Sequence, residues 1–205
     1  MIDRKRLLAD LQVQQRKLEA DLRAQAERVP ELADRLQSDY AAARAAGRTA
    51  ETFSEWREGE VTQGAVAWLI ACVFLRFVED NGLIAEPLLA GPGARLGMAA
   101  EAMRRYFREH PTHHERHYLE HAFGSLSRYR ALAELYDPAH NPLFRFPPTF
   151  EAAQALVAFW RRVDPDTGAL VHDFSDAELN TRFLGDLYQD LSEAARKRYA
   201  LLQTP

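Results

Sequence analysis

From Asp3 to about Glu27, the apolar positions Leu7, Leu11, Leu18 and Leu22 recur at spacings of four and seven, with charged residues between them. That spacing predicts one long amphipathic helix with a narrow apolar stripe, which suits a helical hairpin. Pro30 interrupts it. Leu32, Leu36 and Tyr40 carry the stripe onto a second helix through Ala46, and Gly47 is a natural residue to cap its end. Residues 1–48 thus read as an amphipathic helical hairpin. They hold no Cys, no His and no cluster of nucleophiles, so their work is packing or contact with a partner.

The pattern then changes. Thr49 to Gly59 reads as a connector in which Thr52 caps Phe53-Ser-Glu-Trp-Arg. Val61 to Asn81 is apolar on most sides, with Val66, Trp68, Leu69, Ile70, Val73, Phe74, Leu75, Phe77 and Val78, which predicts a helix at the centre of a bundle. Asn81-Gly82 ends it in a left-handed cap. Gly91-Pro-Gly93 marks a loop before a helix over Met98 to Glu109. Pro111, in a first-turn position, opens another over His113 to Phe123. Tyr129 to Tyr136 reads as a short helix, and Asp137 to Pro142 through Pro147-Pro148 as a proline-rich turn region. Thr149 caps a helix from Phe150 to Val163; Asp164 to Gly168 is a turn, and Ala169 to Phe174 a short extended piece. Asp176 to Arg198 forms one amphipathic helix or two short ones on Leu179, Phe183, Leu184, Leu187, Tyr188 and Leu191. Gly185 costs roughly 1 kcal/mol there against Ala, so a close backbone approach is expected at it. Thr204-Pro205 reads as an extended or turn dipeptide.

The fold class is therefore mainly α: an N-terminal helical hairpin followed by a multi-helix bundle with proline-rich loops. Three parts are expected: the hairpin over 1–48, a bundle over 49–168 around the apolar helix 61–81, and a connector and helix over 169–205. With 47% hydrophobic residues and only 10 Gly and 10 Pro in 205 positions, the chain has enough apolar surface for an ordered core. Its single cysteine, Cys72, sits in an apolar run, so there is no disulfide framework and the expected compartment is the cytoplasm. The charged opening Met1-Ile-Asp-Arg-Lys-Arg is unlike a signal peptide. The longest uncharged stretch, Val61 to Leu75, falls short of the ~20 residues that span a bilayer.

A formal net charge of −4 argues against a self-sufficient nucleic-acid binder, which needs a local positive excess. The basic clusters Arg4-Lys-Arg6, Arg104-Arg105, Arg161-Arg162 and Arg196-Lys-Arg198 read as solvated helix faces. Arg76, Glu79 and Asp80 share one turn at the C-terminal end of the apolar helix, where acidic groups oppose the macrodipole unless paired. An Arg76 to Asp80 pair is expected. His110, His113, His114, His117 and His121 place imidazoles at i, i+4 and i+8. Zinc sites usually recruit a ligand from another segment, and the polar flanks predict a solvated surface without metal. Pro165-Asp166 imitates the start of a nuclease metal site, but Glu178-Leu-Asn180 carries Asn where that chemistry requires lysine.

The run Phe183-Leu-Gly-Asp-Leu-Tyr, then Ala195-Arg-Lys and Leu202-Gln-Thr-Pro, resembles the entry to the catalytic domain of gamma-type adenine-specific DNA methyltransferases. Further motifs are Met1-Ile-Asp-Arg-Lys, Gly47-Arg-Thr-Ala, Thr62-Gln-Gly-Ala-Val-Ala-Trp and Phe74-Leu-Arg-Phe-Val-Glu-Asp-Asn-Gly-Leu-Ile. Their order over nearly the whole chain is similar to the N-terminal region of the PglX family, the methyltransferases of phage growth limitation and BREX-type phage-defence systems. The resemblance implies a full-length enzyme that transfers the methyl of S-adenosylmethionine to N6 of adenine in DNA. DNA and other defence components would be its partners, with no membrane role. It also implies that Thr204 and Pro205 lie near the cofactor, beside Tyr199 and Gln203, the latter standing where the family often has Tyr. The chain is expected to stop where the catalytic domain begins.

No Gly-rich loop of the Asp-Pro-Ala-Cys-Gly-Ser-Gly type, Rossmann fingerprint or P-loop occurs, so no catalytic residue is assigned and these 205 residues are expected to be inactive alone. Asn141-Pro-Leu-Phe144 imitates the Asn-Pro-Pro-(Tyr/Phe) signature that holds a flipped adenine. Leu143 replaces the second proline, and the segment precedes the donor-site block, so it reads as a turn. The alternative is a stand-alone helical interaction protein that docks through residues 3–46.

Overall fold

The computed structural model describes residues 2–129, 133–136, 141–178, 180 and 182–202. Seven α-helices are present among them: α1 (Arg4–Arg28), α2 (Pro30–Ala45), α3 (Phe53–Asp80), α4 (Ala94–Glu109), α5 (Glu115–Leu126), α6 (Phe150–Trp160) and α7 (Arg182–Leu202). Two 3-10 turns, Ala133–Tyr136 and Pro142–Arg145, lie between α5 and α6. The β structure among the described residues is an antiparallel bridge between Val163 and Leu170. The mainly α architecture is as the periodicity predicts.

Local chemistry sets the helix ends. Asp3 accepts the Arg6 N–H at 3.0 Å and starts α1. Pro30 occupies the first position of α2, where its missing N–H is not needed. Thr52 and Glu55 form a reciprocal capping box, so the connector yields to helix at Phe53 and α3 runs for 28 residues. At its other end Gly82, with φ of 66°, allows the Gly82 N–H to reach the Glu79 carbonyl and the Leu83 N–H to reach the Val78 carbonyl. That double return is the Schellman closure.

α3 is the axis of the fold. It packs on α1, α2, α5, α7 and the Pro142–Arg145 turn. One apolar cluster runs from Leu7 of α1 to Leu191 of α7 and draws on every α-helix. Within α3, Val61, Trp68, Leu69, Cys72, Val73 and Leu75 are buried. Counted over its full length, charged residues included, α3 is long and apolar enough to cross a bilayer, unlike the uncharged run Val61 to Leu75 alone, but 72% of its most apolar window is buried inside the fold, as in the core helix of a bundle. Leu7, Leu11, Leu18 and Leu22 of the hairpin are buried as well, against the chain's own helices. The stripe that an adaptor would present to a partner is internal. Charged links reinforce the contact: Arg23 grips Glu58 through three hydrogen bonds of 2.7 to 2.9 Å, and Arg57 pairs with Glu27 at 3.2 Å.

Several sequence expectations are corrected. α4 begins at Ala94, not Met98, and α5 at Glu115, so Pro111 lies in the turn before α5 and not in its first turn. Of the expected Tyr129–Tyr136 helix, Ala133–Tyr136 forms a 3-10 turn and Tyr129 is not helical, while 130–132 fall outside the described residues. α6 stops at Trp160, because Val163 turns to meet Leu170 across the Asp164 to Gly168 turn. There the Asp164 carboxylate accepts the N–H groups of Asp166 and Thr167 at 2.9 and 3.0 Å. α7 starts at Arg182; Leu179 lies outside the described residues. Tyr188 is 52% exposed and does not join the apolar stripe.

Gly185 is not a point of close approach, since a Cβ there would meet nothing within 4 Å. The close approach is at Gly64, where a Cβ would lie 3.0 Å from the Phe146 ring. Two substitutions separate these positions by chemical unfolding in urea. Gly185→Ala is expected to raise stability by up to about 1 kcal/mol, because it removes only the glycine penalty in a helix. Gly64→Leu is expected to lower it by about 1–3 kcal/mol, because the larger side chain must displace the buried Phe146 ring.

Candidate functional site

The C-terminal turn of α3 carries the densest polar chemistry of the described residues. Arg76 has no exposed side-chain surface, and neither has Asp80. The Arg76 Nε and Nη2 atoms donate to the two carboxylate oxygens of Asp80 at 3.1 and 2.8 Å, the expected i,i+4 pair. Nη1 donates to the Trp160 carbonyl at 2.9 Å and Nη2 to the His172 carbonyl at 2.7 Å. The guanidinium lies 5.3 Å from the Phe174 ring centre and 5.8 Å from that of Trp160. Asp80 also accepts the Phe174 N–H at 2.8 Å. Burial pushes the Asp80 carboxyl above its ordinary range against the opposing pull of Arg76. The pair therefore ties α3 to the end of α6 and to residues 172–174. This is the structural role, with both charged side chains of the pair buried.

Glu79 and Arg161 perform a complementary task on residues 88–90, which lack regular structure. Glu79 accepts the N–H groups of Leu88, Leu89 and Ala90 at 2.5, 2.9 and 3.1 Å. Arg161 donates to the carbonyls of Leu89, Leu88 and Ala99 at 2.7, 3.2 and 3.2 Å, and the Tyr118 hydroxyl donates to Leu88 at 2.7 Å. Buried backbone groups need such partners. Arg161 is thus an internal strut and not the solvated face expected for Arg161-Arg162. Burial raises the Glu79 carboxyl to about 7, although the three N–H donors and Arg76 pull it down. Nothing in local periodicity distinguishes Arg161; its partners lie more than 60 residues away.

The helix that bears the donor-site resemblance is held at its N-terminal half. Phe183, Leu187 and Leu191 of α7 are buried, and α7 packs on α3 and α1. The Phe183 ring lies 6.1 Å from Phe77 and 6.2 Å from Phe174, with the Arg4 guanidinium over it at 5.5 Å. Buried Gln15 of α1 donates to the Leu191 carbonyl at 3.3 Å and to Glu19 at 3.1 Å. A second clasp joins α1 to the connector: the His172 imidazole sits 2.8 Å from Asp10, which also accepts from Arg162 at 2.7 Å. Asp186, Tyr188 and Asp190 face outward. The proposed near-cofactor residues Gln203, Thr204 and Pro205 lie outside the described residues, and Tyr199 falls on the last turns of α7.

The remaining motifs do not assemble chemistry of that kind. Asn141 accepts the Leu143 N–H at 2.9 Å and caps the Pro142–Arg145 turn, and Leu143 is buried. Among the described residues no group of three or more His, Cys, Asp or Glu side chains is placed to hold a metal ion. The histidines are only partly a helix face. His113 precedes α5, yet its ring stacks on His110 at 4.9 Å and on His117 at 4.5 Å.

Adenine-specific methyltransferase PglX of Streptomyces coelicolor is 48% identical over the whole of this chain. The chain spans 18% of that protein's length. No family model and no solved structure matches the chain.

Two measurements test the polar turn. Arg76→Met leaves the Asp80 carboxylate buried without its cation, and is expected to cost about 3–5 kcal/mol in thermal or urea unfolding. Adding Asp80→Leu is expected to cost less than the sum of the single changes, because the two sites share one interaction. The second measurement concerns Glu79, whose folded value of about 7 lies above its ordinary 4.5. Its favourable share is complete below pH 4.5 and is lost as pH rises through about 7. The stability of the protein relative to its Glu79→Gln variant is therefore expected to fall by about 3 kcal/mol over that window, read from urea unfolding at several pH values.

Proposed function

Because the whole chain is similar to a segment of the adenine-specific methyltransferase PglX, we propose that it is the N-terminal helical region of an N6-adenine DNA methyltransferase of the phage-defence type. The complete protein takes S-adenosylmethionine as methyl donor and DNA as substrate, in the cytoplasm, with other defence components as further partners. This region is a brace. The supporting observation is α7: Phe183, Leu187 and Leu191 clamp it to α1 and α3, which aims its following turns in one direction. Its outward residues Asp186, Tyr188 and Asp190 are the surface on which the catalytic domain rests. The three parts over 1–48, 49–168 and 169–205 then have distinct duties: hairpin buttress, central bundle and delivery of α7. Thr204 and Pro205 border the donor pocket, which further polypeptide completes.

No residue of the chain is assigned to methyl transfer itself. Calorimetric titration of S-adenosylmethionine into the 205-residue chain is expected to give no heat of binding; micromolar affinity would show the donor pocket to be complete within it. In the longer protein, Tyr188→Ala is expected to leave unfolding within about 0.5 kcal/mol of the parent. It is expected to lower methyl transfer from labelled S-adenosylmethionine to DNA about tenfold, a loss of about 1.4 kcal/mol. Unchanged transfer would remove α7 as the brace.

A further inference from the structure

A cavity of about 450 Å3 opens between Ile84–Leu88, the second half of α4 and the end of α5. The bracing role makes no use of it. Its size falls within the roughly 300–1,000 Å3 of small-molecule sites. Tyr106 is buried behind the wall and fixes the rings in front of it. Its hydroxyl meets His113 Nδ1 at 2.7 Å, and its ring packs on Tyr118 at 5.2 Å. The exposed imidazoles of His110 and His121 lie 4.6 and 4.8 Å from that ring, and Tyr129 adds another exposed ring to the lining.

The rim carries two guanidinium groups, Arg105 and Arg128, against two carboxylates, Glu86 and Glu109. Arg105 pairs with Glu86 at 2.6 Å, but both side chains are about half exposed, so the pair exchanges cheaply for another anion. Arg128 makes no hydrogen bond or ion pair with a described residue. Glu109 is the opposing carboxylate in the lining. A stacking surface beside guanidinium groups suits a flat ring that carries an anion. Aromatic rings accept any base by stacking, while guanidinium groups grip phosphate with charge-assisted hydrogen bonds.

We infer that this pocket binds a nucleoside monophosphate, its base against the exposed rings of His121 and Tyr129 and its phosphate on Arg128 and Arg105. The two halves of the ligand are held by different residues and reinforce each other.

The test is titration of the 205-residue chain with AMP, adenosine and inorganic phosphate, followed by calorimetry or by amide shifts. AMP is expected to bind with Kd below about 1 mM, and adenosine or phosphate alone at least about tenfold more weakly. Arg128→Ala, a change at an exposed turn residue, is expected to weaken AMP about tenfold, and Glu109→Gln to strengthen it. Arg104→Ala serves as the control, because Arg104 is exposed, pairs with Glu101 and is not part of the lining; it is expected to change nothing. Three results overturn the inference: no AMP binding at about 10 mM, phosphate alone binding as tightly as AMP, or Arg104→Ala losing as much as Arg128→Ala. The last two reduce the pocket to diffuse charge attraction.

Discussion

The buried ion pair between Arg76 and Asp80 is the constraint around which the C-terminal half of the molecule is arranged. A guanidinium placed inside a protein is costly unless each of its donors is met. Here the partners come from three places in the chain: Asp80 in the next turn of α3, the Trp160 carbonyl at the end of α6, and the His172 carbonyl in the connector. The last carbonyls of a helix have no partner within it, so α6 needs an external donor where it ends. One side chain thus closes a helix, orders an irregular segment and offsets the acidic end of α3.

Glu79, the neighbour of Asp80, extends the same logic to residues 88–90. Its carboxylate collects three consecutive N–H groups, while Arg161 and Tyr118 collect the carbonyls. A segment with no ladder of its own is held inside the fold by one acid and one base on opposite sides. The cavity beside α4 borders this same segment at Leu88. Its floor is therefore positioned by the same polar turn that anchors α6.

The same contacts continue into α7. Residues 172–174 are held by Arg76, Asp80 and Asp10, and α7 begins at Arg182. Phe174 packs on Phe183, so the connector and α7 share one apolar seam with Phe77 of α3. α1 closes the other side through Gln15 and Arg4. The N-terminal half of α7 is thus held by residues from distant parts of the chain, α1 on one side and α3 with the 172–174 segment on the other.

Local patterns by themselves determined the helical class, the apolar axis α3, the Thr52 and Thr149 caps, the Gly47 and Gly82 endings and the Arg76–Asp80 pair. Each of these depends on residues within about one helical turn, where spacing and capping chemistry act directly. The family resemblance was legible for a similar reason, since it rests on the order of short motifs. What only the tertiary structure decided were contacts between distant segments: Phe146 against Gly64, Arg161 beneath residues 88–90, the outward turn of Tyr188, and the joining of α4, α5 and the 84–88 segment into one cavity. An arginine on a helix reads the same in sequence whether it faces water or a neighbour's unmet carbonyls. Which of the two it meets is set by the packing of helices that are far apart along the chain.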